Sequence, residues 1–165
     1  MSKNSTLRTT SYISWPEATK LVCSLINDYN YHYGLIIGFG IYTGLRISDI
    51  LNLSWGQLIE PGLRIPFDKI NIQEKKTGKT RIITLHPELK DRVLTVYSNI
   101  KPKPYDWVFP MRSDSRRKAD YHGINKALKS IFKKYDISTA GNISSHCLRK
   151  TFGRRCFEQG GESDK

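Results

Sequence analysis

Acidic residues are scarce in this sequence: 15 Asp and Glu stand against 27 Lys and Arg in 165 residues, a formal charge of +12 at pH 7. With 38% hydrophobic and 11% aromatic residues the chain is not a disordered basic tail, so an excess of that size implies a polyanionic partner, nucleic acid first. Cysteine is sparse too. Cys23, Cys147 and Cys156 form no CxxC and leave an odd count, which argues against a disulfide framework or zinc ribbon and suits a reducing cytoplasm. There is no HExxH and no clustered His/Asp set, so neither a metal nor any other cofactor is expected. Long apolar runs are also missing. The longest, Tyr33 to Leu45, is broken by Gly34, Gly38, Gly40 and Gly44, and falls short of the ~20 residues that span a bilayer. No basic amphipathic helix points to a membrane surface. The opening MSKNSTLRTT lacks the apolar segment of a signal peptide, and residues 1–11 are expected to form a flexible tail.

What is there suits one domain, since a chain of this length buries roughly 70% of its extended surface on folding. Ser14-Trp15-Pro16-Glu17 carries a capping serine, a first-turn proline and a capping-box glutamate, and Ala18, Leu21, Val22, Leu25 and Ile26 follow at helical spacing. Tyr31 to Tyr42 reads as a buried helix whose glycines serve close packing, stopped at Thr43-Gly44. Ile47 to Leu53 reads as a short third helix. The period then changes. Leu63 to Phe67, Lys69 to Glu74 and Arg81 to Leu85 predict three strands, the last two joined through Lys75-Lys76-Thr77-Gly78-Lys79. Helices return at Pro87 to Ser98, Tyr121 to Tyr135 and about Ser145 to Glu158, and Met111 to Asp120 is a basic loop. The fold class is α+β, mostly helical, with a small antiparallel three-stranded sheet.

Three segments carry residues suited to chemistry. Arg46 follows a glycine break between two apolar helices, where a guanidinium has an anion or a carboxylate to hold; pairing with Asp49 one turn on is the alternative use. His146 and Arg149 share a helix face just after Ser144 and Ser145. That helix end favours a phosphate, although a surface histidine beside a solvated arginine has the same spacing. Lys75, Lys76, Lys79 and Arg81 decorate a hairpin that fits a DNA groove or is simply solvated. Clustering favours a basic face: residues 69–81 hold five basic residues and one acidic, and residues 101–134 hold ten and three.

Together these segments resemble the tyrosine recombinases, or phage-type integrases. TGLRISDILNLSW is similar to that family's first-arginine box, KKTGKTRIITL to its lysine-bearing hairpin, and SSHCLRKTF to its histidine-x-x-arginine box. The order of the three and the roughly hundred residues between Arg46 and Arg149 also fit. The resemblance implies a catalytic domain over 12–165 that cleaves and rejoins DNA through a 3′-phosphotyrosyl link, without an obligatory metal. It makes Arg46 and Arg149 the phosphate clamp, Lys76 the proton donor to the leaving 5′-oxygen, His146 a phosphate ligand or proton-transfer aid, and Asp49 a buttress of Arg46. Lys75, Lys79, Arg81, Arg116, Arg117 and Lys118 are expected to meet DNA.

The nucleophile is the departure. All nine tyrosines precede Arg149, so this chain has none in the nucleophile position and is expected to bind DNA without cleaving it. It reads as the core of a longer recombinase, without the amino-terminal clamp domain and cut short at its carboxyl end. The implied partner is double-stranded DNA in the bacterial cytoplasm, with a homotetramer for the full-length protein and a monomer for this chain when free. The main alternative is a noncatalytic DNA-binding module of the same fold. A metal-independent ribonuclease would want a second histidine paired with His146, and His32, His86 and His122 show no such motif.

Overall fold

The structure is a computed structural model describing residues 11–160; residues 1–10 of the expected tail and residues 161–165 lie outside the described residues. Helix α1, Trp15–Asn27, starts as its sequence requires: the Ser14 hydroxyl accepts the Glu17 N–H and donates to the Glu17 carboxylate. Its five periodic apolar residues are buried against α2, Tyr31–Thr43. Helix α2 is the axis of the molecule. Every residue from Gly34 to Ile41 is buried, because α1 and two later helices enclose it. Each large apolar side chain so enclosed is worth roughly 1.5–3 kcal/mol. Gly44 ends α2 with φ of 63°, its N–H closing on the Gly40 carbonyl at 3.1 Å.

Helix α3 spans Ile47–Ile50, shorter than the expected run to Leu53. The Asn52 and Leu53 N–H groups bond back three residues instead of four, tightening the chain into a turn. A four-residue helix α4, Trp55–Leu58, follows, with the Gln57 side chain accepting the Ser54 N–H at 2.9 Å.

The sheet has two strands, β1 (Lys69–Gln73) and β2 (Thr80–Thr84), antiparallel with Lys69 opposite Thr84 and Gln73 opposite Thr80. Ile70, Ile72 and Ile83 face the core. The expected third strand, Leu63 to Phe67, does not form. The chain reverses at Gly62, φ 83°, and folds back onto the end of α4 through an isolated bridge between Ile59 and Pro66. Pro66 has no N–H to extend a ladder, and Leu63 and Ile65 stay exposed.

Helix α5, Pro87–Ile100, is capped by His86, whose Nδ1 accepts the Glu88 N–H at 3.3 Å. The basic loop before α6, Tyr121–Lys134, is pinned at its base, where the Ala119 N–H donates to Phe109 and the Met111 N–H to Arg117. Helix α7, Ser145–Gly160, closes the fold against α2. Among the described residues no helix is long and apolar enough to cross a membrane.

Candidate functional site

The glycines of α2 set the geometry of the site. A Cβ on Gly40 would lie 2.6 Å from the Leu148 Cβ, and one on Gly44 would lie 2.4 Å from the Phe152 ring. The missing side chains let the first turns of α7 press onto the end of α2, which puts Arg149 beside the segment that carries Arg46. The head of α7 is held from α6 as well. Asn125 Oδ1 accepts the Ser145 N–H at 2.9 Å, so the orphan donor is met by α6, while the Ser144 carbonyl accepts the Cys147 N–H.

A charged cluster fills this junction. Glu74, at the end of β1, is buried, and its Oε1 takes Arg81 Nη1 at 3.0 Å. Its Oε2 accepts the Thr77 hydroxyl at 2.8 Å and faces Arg46 Nη1 at 3.4 Å. The Thr77 and Arg81 hydrogen bonds and the nearby Arg46 charge hold the Glu74 carboxyl below its ordinary value. Half-buried Arg149 has its pKa lowered by desolvation first, then by the charge of Arg46. Arg81 adds to this, and Asp49 and Glu74 oppose it. Three guanidinium groups from three distant segments thus lie within electrostatic reach of one another.

Asp49 Oδ1 accepts the Lys75 backbone N–H at 2.9 Å, and Glu74 faces Arg46 at 3.4 Å. The buried Asp49 therefore anchors the start of the hairpin loop. In sequence Glu74 is the single acid among the five basic residues of 69–81, and that isolation is the signal that marks it.

The remaining expected residues divide into two groups. Lys76 and Lys79 are exposed on the hairpin loop, and His146 is exposed on the first turn of α7. Lys75, Arg116, Arg117 and Lys118 line one open cleft of about 470 Å³ that also touches Ser48, two residues from Arg46. There Lys118 bonds to Asn52 Oδ1 and lies 5.9 Å from the Trp107 ring centre, while Arg116 pairs with Asp114 at 3.1 Å. Lys75 of the hairpin loop thus shares a cleft with the three basic residues of the loop before α6. Among the described residues no group of three or more His, Cys, Asp or Glu is placed to hold a metal ion.

The family model described as the phage integrase family matches residues 17–165. The chain belongs to the phage integrase family. Its fold is that of solved tyrosine recombinases. The XerA recombinase is 23% identical, with a TM-score of 0.69, over 92% of this chain and 52% of that one. The lambda integrase bound to DNA is 17% identical, with a TM-score of 0.64, over 90% and 51%. The lambda integrase catalytic core is 16% identical, with a TM-score of 0.64, over 91% and 85%. This integrase-family chain thus spans about half the length of the first two and most of the third. No curated protein sequence matches it significantly.

Proposed function

We propose that this integrase-family chain, from residue 12 onward, carries the phosphate-binding part of a site that cleaves and rejoins double-stranded DNA. What supports the reading is that Arg46 and Arg149, about a hundred residues apart in sequence, lie within electrostatic reach of each other where α7 packs against α2. Two guanidinium groups with planar donor forks can clamp the non-bridging oxygens of one phosphate, where charge builds as the phosphorus is attacked. Lys76, on a loop anchored by Asp49, is the proton donor to the leaving 5′-oxygen, a contribution worth roughly 10²–10⁴-fold. His146, one turn before Arg149, contacts the same phosphate or relays a proton. Lys75, Lys79, Arg81, Arg116, Arg117 and Lys118 take flanking backbone phosphates. No tyrosine follows Arg149 in this sequence, so the proposal covers binding and proton transfer and not the attacking hydroxyl. A tetramer on two duplexes and a place on bacterial nucleoid DNA belong to the same reading.

Fluorescence anisotropy with a labelled duplex tests it. Affinity falls with salt at a log–log slope of about −0.9 per neutralised phosphate, and Arg46→Ala and Arg149→Ala each weaken binding and flatten the slope by about one such step. Salt-independent binding, or binding indifferent to both substitutions, contradicts it.

A further inference from the structure

Glu74 is the acid that faces both Arg46 and Arg81, and its three bonds are unequal. Thr77 and Arg81 hold it at 2.8 and 3.0 Å, within ordinary hydrogen-bond range. Arg46 reaches it only at 3.4 Å, through the oxygen already committed to Thr77. The Glu74 side chain is 9% exposed and that of Arg46 is 33% exposed, so an incoming anion meets the arginine first. Its backbone is equally committed. The Glu74 N–H donates to Lys79 at 2.9 Å, and its carbonyl accepts the Gly78 N–H at 2.8 Å, closing the loop that contains Lys76.

We propose that Glu74 is a positioning residue that orders the Lys76 loop through Thr77 and Arg81 while holding Arg46 as an exchangeable partner, which it yields to a DNA phosphate. The inference rests on the clamp reading above and adds to it a competitor for Arg46. A phosphate offers that arginine two oxygens in fork geometry, whereas Glu74 offers a single long contact. When Arg46 leaves, Thr77 and Arg81 still satisfy the buried carboxylate, so the loop stays in place as the substrate is gripped. Without the Glu74 charge the cluster attracts an anion more strongly; without the Thr77 bond, Oε2 is left to Arg46 alone and competes better.

The test uses the whole chain, a random-sequence duplex as probe, and amide hydrogen exchange across residues 75–79. Glu74→Gln keeps one acceptor oxygen, which serves Thr77, and gives up the Arg81 bond together with the charge; it is expected to bind DNA at least ~3-fold tighter at low salt. Thr77→Val, at an exposed position, is expected to do the reverse: weaker binding and faster loop exchange. The gain from Glu74→Gln should vanish in an Arg46→Gln background. Unchanged or weaker binding by a Glu74→Gln chain that melts like the wild type overturns the proposal, as does Thr77→Val with wild-type affinity and exchange. Should Glu74→Gln lower the melting temperature, the Thr77→Val result decides alone. Failure of the clamp itself is distinguishable, because Arg46→Gln in the otherwise unaltered chain would then leave DNA affinity untouched.

Discussion

Gly40 lies under Leu148 so closely that a Cβ on the glycine would stand 2.6 Å from that of the leucine. This contact sets how near α7 comes to α2, and therefore how near Arg149 comes to Arg46. Neither arginine reaches the other by local structure alone.

Gly40→Ala is accordingly expected to destabilise the chain by about 1–3 kcal/mol through overpacking, and to weaken DNA binding beyond the loss of folded protein. Thermal unfolding and anisotropy on the same samples check this. A change in melting temperature with wild-type affinity would detach the helix contact from the site.

Asp49→Ala leaves the Lys75 N–H without its buried acceptor, at a cost of about 1–3 kcal/mol. The expected sign is local: amide exchange rises first at Lys75 and the loop following it, ahead of β1. Uniform acceleration across the chain would instead make Asp49 a general core residue.

Glu74 also gives the chain an acid-sensitive element. Its carboxyl is lowered from 4.5 by the Thr77 and Arg81 hydrogen bonds, and Asp68 and Asp114 are lowered from 3.8 by hydrogen bonds from Lys90 and Arg116. A depressed folded value means the stabilisation is complete above the unfolded value and is lost as pH falls through the folded one. The contribution of these three carboxyls to melting temperature should therefore be lost as pH falls below about 4.5. Glu74→Gln should make that loss smaller, and an unaltered acid limb would remove Glu74 from the explanation.

The three motif boxes were legible because each is a short segment whose chemistry lies in consecutive residues. Ser14, Pro16 and Glu17 announce α1, and the glycines of α2 announce close packing, which is found at Gly40 and Gly44. What failed was non-local. Leu63, Ile65 and Phe67 alternate like a strand, yet alternation cannot reveal that the chain turns at Gly62 and leaves Leu63 64% exposed. Glu74 looked like one acid among lysines because its partner Arg46 is 28 residues away. Helix α4 was too short for periodicity, although Ser54 and Gln57 at capping-box spacing signalled it.

The assignment of Lys76 over Lys75 and Lys79 makes a chemical prediction for a longer polypeptide that supplies the tyrosine. Lys76→Ala should damage cleavage of ordinary DNA severely and cleavage of a 5′-bridging phosphorothiolate only slightly, since a thiolate leaves without a proton donor. Equal damage on both substrates would make Lys76 a DNA contact and move the search for the acid to Lys79.

Arg46 and Arg149 are assigned to a single anion. Crystals of the chain soaked in tungstate, a tetrahedral oxyanion located by its anomalous signal, would show that anion. One oxyanion held by both guanidinium groups, with Glu74 still bonded to Thr77 and Arg81, is the expected result. Tungstate bound to each arginine separately, on surfaces with no shared cavity, would refute the assignment.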